Sequence, residues 1–172
     1  MPKLLLLLLA GAAGLYAQED KSLLTPEEYF SDWKISRQFT IAVAEKMPEE
    51  FYGFKPNPEQ MSFGGQMVHI AGSLVFRFHQ LTGIKTSFEM PKQVDKAACI
   101  RLLNEAYDYV LQVLPKITPE QLTRIYDVDW VGRPRVNGRQ MMLNMFVHAA
   151  HHRAQCEVYL RLKGITPPAY TF

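Results

Sequence analysis

The sequence predicts an all-α fold, an antiparallel four-helix bundle behind an N-terminal signal peptide. Apolar residues recur at spacings of three and four in four long segments. Those segments open on Ser, Thr, Asp or Asn and close at Pro or Gly, as capped helices do. A pure leucine run, residues 4–9, follows the positive start Met1-Pro2-Lys3. The chain has 172 residues, 48% of them hydrophobic and 21% charged, enough for one domain with its own core. It is too apolar for disorder. A net charge of +2, from 19 basic and 17 acidic residues, gives nucleic acid no basic stripe to bind. Two cysteines cannot build a disulfide scaffold or a four-cysteine zinc site.

The first segment reads as an address. Leu4 to Ala17 falls short of the roughly 20 residues that cross a bilayer, and Leu15-Tyr16-Ala17 supplies a small-residue exit. A signal peptide over 1–17 is expected, with a linker at 18–24 and the bundle domain at 25–172. The alternative is an uncleaved anchor. No second long apolar run follows, so no stable membrane association is expected once the leader is cut. Export places the chain in a periplasm or outside the cell. That compartment permits a disulfide between Cys99 and Cys156. Both lie on apolar helical faces, and two small core residues is the favoured reading.

Thr25-Pro26-Glu27-Glu28 opens helix one with a cap, a first-turn proline and an acid. Tyr29, Trp33, Ser36, Thr40, Val43 and Met47 give its stripe, which ends near Pro48. Ser62 caps helix two, in which Met67, Ile70, Leu74 and Leu81 lead to Thr82-Gly83. Asp95 caps helix three, with Cys99, Leu103, Ala106, Val110 and Leu114 as its stripe and Pro115 as its stop. Thr118-Pro119-Glu120 predicts a short extra turn. Tyr126 to Trp130 alternates apolar with acidic residues, a brief extended segment for which no partner is evident. Asn137 and Gln140 form a capping box for the last helix, which runs to Lys163 and stops at Gly164.

The last helix carries the functional signal. Met141, Met145, His148, His152, Gln155, Tyr159 and Leu162 share one stripe, apolar at both ends and therefore buried. Buried imidazoles need partners for a donor and an acceptor each. His148 and His152, at i and i+4, project from one face and can bind one metal ion together. A third ligand must come from another helix, and His69 in helix two is the candidate. Gln66, Ser73 and Phe76 share its face, and Gly72 is small enough to admit another helix. His79 lies about 15 Å farther along, too far to share the ion. His151 points about 100° away, an outer or surface position. Three histidines leave open coordination positions, as a catalytic site has. Satisfied core histidines without metal are the competing reading.

The residues around these histidines also carry a family likeness. Phe54-Lys55-Pro56-Asn57-Pro58-Glu59 leads through Ser62-Phe63 into Gln66-Met67-Val68-His69-Ile70-Ala71. His148-Ala149-Ala150-His151-His152-Arg153-Ala154-Gln155 is followed by Tyr159-Leu160-Arg161 and Gly164-Ile165-Thr166-Pro167-Pro168. With four helices in this order, the sequence resembles the DinB/YfiT-like superfamily of metal-binding four-helix bundles over about residues 25–168. The resemblance implies a divalent metal on His69, His148 and His152. Zinc and nickel come first, with iron or copper as options, since imidazole suits all four. It also implies chemistry like that of thiol S-transferases and a thiol-dependent isomerase, on an unidentified small molecule. Family members often pair as dimers, which makes a homodimer an option here. Ala154 stands where the family often has glycine. The leader departs more: an exported chain is separated from cytoplasmic thiols.

The chemistry open to such a site is a metal-dependent hydrolase or S-transferase, or a non-catalytic metal- or ligand-binding module. The stripe contains no carboxylate for a general base, and Glu157 lies off it. Gln155 can orient a ligand or simply pack, and His151 can support it. Asp127, Asp129, Arg133, Arg135 and Arg139 precede or open the last helix. They either reach the pocket mouth or form a solvated loop, which is favoured. Trp33 and Tyr29 can wall the pocket, with core packing the default.

Overall fold

The computed structural model describes residues 26–129 and 134–170. The expected signal peptide, the 18–24 linker, Thr25, Trp130 and Arg133 lie outside the described residues. Four long helices form the body: α1 (Pro26–Lys46), α2 (Phe63–Thr82), α3 (Lys96–Val113) and α5 (Gly138–Leu162). Between α3 and α5 come a short α4 (Pro119–Thr123) and two short strands, β1 (Ile125–Asp127) and β2 (Arg135–Asn137). None of the described helices is long and apolar enough to cross a membrane.

The caps act where the sequence puts them. Ser62 Oγ accepts from Gly65 N at 3.0 Å and Asp95 Oδ1 from Ala98 N at 2.7 Å. Asn137 and Gln140 exchange bonds of 2.9 and 3.0 Å in a closed capping box at α5. Gly164, at φ +72°, takes the left-handed conformation that ends that helix. The predicted stripes are buried except at particular positions. Tyr29, His148 and Gln155 are half-buried, and Leu162, expected to close the last-helix stripe in the core, is 58% exposed because it is the final residue of α5. Trp33, Val43, Met67, Ile70, Leu103, Val110, Met141 and Tyr159 all lie in one core. Trp33 packs edge-on against Phe78 and Phe146, with ring centroids 5.4 and 5.3 Å away. It belongs to the core.

The bundle is antiparallel only in part. α1 and α2 each pack on both α3 and α5. Arg37 pairs with Asp108 while Lys96 reaches the carbonyls of Glu45 and Met47, so α1 and α3 run oppositely. Gln66 meets Gln155 while His69 meets His148, so α2 and α5 do too. But Cys99 lies against Gly64, and Tyr109 donates to Ile84 O at 2.6 Å. Hence α2 and α3 run in the same direction. The cause is the connection at residues 83–95. It is long enough, when extended, to return along the roughly 30 Å of α2.

Two smaller expectations also change. The 126–130 segment does have a partner: β1 pairs antiparallel with β2, Tyr126 opposite Val136. Both are buried on one face, and Tyr126 Oη donates to Leu81 O at 3.2 Å and Gln121 O at 3.1 Å. The partner strand is hard to see in sequence because Asn137 ends β2 and caps α5 at once. Gly72 makes room for Met90 of the 83–95 connection, whose Sδ is 3.3 Å from a Cβ built there, and not for a helix.

Cys99 and Cys156 are unpaired and buried, as core residues. Burial pushes the Cys99 thiol up to about 12, so it stays protonated and unreactive.

Candidate metal centre

Three turns of helix bring the histidines together. His69 projects from the first half of α2, and His148 and His152 from consecutive turns of α5, which runs antiparallel to it. One ring nitrogen from each lies within 4.8 Å of the other two. His148 Nε2 and His69 Nε2 are 3.0 Å apart. Ring centroids are 5.0 Å apart for His69 and His148, 4.4 Å for His69 and His152, and 4.5 Å for His148 and His152. Nitrogens at about 2.0–2.1 Å from one tetrahedral zinc sit roughly 3.3 Å from each other. The cluster therefore needs only small side-chain shifts to close on an ion, and the three residues fit a divalent metal.

The ionisation state also fits. Burial, then the neighbouring imidazoles, holds both His148 and His152 down to about 4. Burial lowers His69 as well. At neutral pH all three are uncharged and present the lone pairs that a metal needs. In the metal-free protein this makes stability depend on pH. The unfolded chain takes up protons near 6.5 and the folded site does not, so stability is full above that pH. It falls as pH drops from about 6.5 to about 4. A loss of about 2–3 kcal/mol is expected across that window, allowing for screening at the part-exposed His148. Urea unfolding of chelated protein at stepped pH measures it.

Gln66 is the residue that sequence reasoning left without a role. Its Nε2 donates to Gln155 Oε1 at 2.7 Å and to Tyr159 Oη at 3.3 Å. Tyr159 Oη in turn donates to Met61 O at 3.0 Å. Gln66 Oε1 is thereby left to accept from His152 Nδ1 at 2.5 Å. That bond fixes the His152 tautomer and leaves Nε2 with the lone pair that could bind a metal. The only signal in sequence is a buried amide one turn before His69. Gln66→Ala is expected to weaken metal affinity about 10–100-fold with little change in fold. Competition with a chelator reads this directly.

The other expected residues separate cleanly. Gln155 bonds to Gln66 and, through Nε2, to His151 Nε2 at 2.7 Å. It braces the ligand shell from behind. His151 is exposed and packs edge-on to His152. His79 is bound to Ile84 O at 2.9 Å, away from the cluster. Asp127 pairs with Arg135 at 3.3 Å on the exposed hairpin, as a solvated loop would. Asp129 does reach the pocket. A cavity of about 720 Å³ opens beside His69 and His148, and Ser73, Phe76, Arg77, Met90, Asp129 and Asn144 help to line it. Arg77 is buried and pairs through Nη2 with Asp129 Oδ1. That hydrogen bond and charge hold the Asp129 carboxyl below its usual range. Arg77 is the second residue missed in sequence, a lone cation inside Leu74-Val75-Phe76-Arg77-Phe78.

Known proteins share this architecture. A family model described as the DinB superfamily matches residues 32–156. The uncharacterized protein YjoA of Bacillus subtilis (strain 168) is 30% identical over 135 residues, 76% of this chain and 85% of its own. The crystal structure of the DinB-like YjoA from B. subtilis superposes with a TM-score of 0.65 at 24% identity, covering 84% of this chain and 95% of that one. A DinB-like protein from Bacillus cereus ATCC 10987 superposes with a TM-score of 0.69 at 20% identity, covering 84% and 97%. At those identities the two solved structures speak for the fold.

Proposed function

The chain belongs to the DinB superfamily, and from that premise we propose that it is an exported metal-binding member acting as a metal-dependent hydrolase or S-transferase. The observation that carries this reading is the convergence of His69, His148 and His152 within 4.8 Å at the edge of a cavity. Zinc or nickel is the expected ion, with iron or copper as alternatives. A divalent ion held by three neutral imidazoles keeps its charge and serves as a Lewis acid toward water, a thiol or a carbonyl. The chain's own residues supply the rest. Gln66 fixes the proton of His152 on Nδ1, and Gln155 and Tyr159 fix Gln66. Val68, Phe76 and Met145 give one side of the cavity an apolar lining. Ser73 and Asn144 offer hydrogen bonds to whatever enters.

A second reading, a non-catalytic binding module, has its own support. Among the described residues, the carboxylate that lines the cavity is Asp129, and Arg77 engages it. Among the described residues, the cavity lining offers no unengaged acid as a general base. The deciding experiment screens the metal-reconstituted protein against thiol-transfer and hydrolytic substrates. Turnover that disappears in His148→Ala establishes the enzyme. A filled site without turnover establishes the module. Export from a leader at 1–17 is tested by N-terminal sequencing of the secreted protein, with Gln18 as the expected first residue.

A further inference from the structure

We propose that the cavity beside the histidines takes a small carboxylic acid lying lengthwise. Its carboxylate sits on Arg77 and its other polar end faces the histidine cluster. Asp129 stands where the ligand's carboxylate would bind. The histidine end of this placement rests on the metal-binding reading above, and the Arg77 end does not.

The geometry of α2 sets the axis. His69, Ser73 and Arg77 follow at intervals of four, so they share one face and rise about 6 Å per step. On antiparallel α5, Asn144 lies one turn from His148 toward the same end. Two polar tracks thus run side by side from the histidines to the guanidinium. Both line the cavity, and Val68, Phe76, Met90 and Met145 supply its apolar wall. About 12 Å of helix separates His69 from Arg77, room for a short chain with a polar group at each end. A volume of about 720 Å³ is in the range of small-molecule sites.

The charge at the far end selects the ligand. Arg77 is 8% exposed, and a guanidinium so placed needs an anion. Its planar fork matches a carboxylate. Gln80 Oε1 holds Nη1 at 2.9 Å, so the head group stays aimed without Asp129. The Asp129 side chain is 82% exposed and comes from a loop rather than from the core. Replacing that wet carboxylate with one from a ligand keeps the ion pair and releases Asp129 to water.

The test titrates linear dicarboxylates, malonate through suberate, into zinc-loaded and metal-free protein by calorimetry, with metal content measured on each sample. One chain length is expected to bind best to the zinc-loaded parent. Arg77→Gln is expected to weaken it at least roughly tenfold, and Arg77→Lys to recover part of the loss. Asp129→Asn is expected to tighten it several-fold, because the competing carboxylate is gone. A purely structural Arg77–Asp129 pair predicts the reverse for Asp129→Asn: a lower melting temperature and unchanged or weaker binding. That result, or unchanged binding in a folded Arg77→Gln, overturns the proposal. Arg77-dependent binding in a protein that takes up no zinc upholds the acid site and removes the metal reading alone.

Discussion

His148→Ala/His152→Ala, made together, is expected to take bound metal from about one ion per chain to near none. Two of three ligands are lost, and no other described residue offers a replacement. His151 is outside the trio whose ring nitrogens converge, and its Nε2 is bonded to Gln155. His79 is tied to Ile84 O. Accordingly His151→Ala and His79→Ala are expected to keep the ion, and they control for general disturbance of the helices. The variant should still fold, since alanine is the better helix former and His152 is the only one of the three that is buried. Some stability is lost because Gln66 Oε1 is left without its partner, at a cost of about 1–3 kcal/mol. Chelation provides the second readout. An ion present at a thousand times its dissociation constant stabilises the folded state by about 4 kcal/mol. Chelation therefore lowers the parent's melting temperature by several degrees and leaves the variant's unchanged. Elemental analysis with calorimetry on both proteins decides it. A parent that takes up no metal on reconstitution and is indifferent to chelator would make the cluster a set of satisfied core histidines.

How much of this was legible beforehand depends on the kind of signal. The four helices were written locally, in caps such as Ser62, Asp95 and Asn137 and in stripes of period 3.6. His148 and His152 were legible for the same reason, since an i, i+4 pair is a local fact, whereas His69, 79 residues away, stood only as a candidate on another helix that the family likeness supported. Helix direction is not local. Nothing in residues 83–95 says whether the chain turns back at once or returns the length of the helix, and that choice sets α2 parallel to α3. The β pairing of Tyr126 with Val136 was hidden by a short strand that merges into a cap. Gln66 and Arg77 were hidden by partners far away in sequence. A buried amide or guanidinium looks like an interruption of an apolar run until its partner, 86 or 52 residues on, is known.

Gly138→Ala is expected to be the most damaging single-methyl change in the bundle, because of how α5 is seated. Gly138 is the first residue of α5, directly after the Asn137 cap. A Cβ there would stand 2.2 Å from Gln121 O, 2.9 Å from Leu122 Cα and 3.0 Å from Leu81 Cδ1. The first two are backbone atoms of α4, so no rotamer change relieves the overlap. Either α4 or the start of α5 must move. The α4 capping box and the Tyr126 Oη bond to Gln121 O resist the first movement. The second would shift α5 against α2 and carry His148 away from His69. Overpacking typically costs 1–3 kcal/mol, and a backbone clash belongs at or above the top of that range. About 3 kcal/mol corresponds to a fall of roughly 6–12 °C in melting temperature for a domain of this size. Gly72→Ala is the contrast. Its Cβ would meet only Met90 Sδ at 3.3 Å and Cε at 3.5 Å, the far end of a flexible side chain. It is expected to stay within about 1 kcal/mol of the parent, aided by the better helix propensity of alanine. Differential scanning calorimetry on the two variants compares them directly. Metal affinity measured on the same samples tells which movement occurs. A large thermal loss with unchanged affinity means that α4 yields, and a loss of both means that the α5 register carries the site.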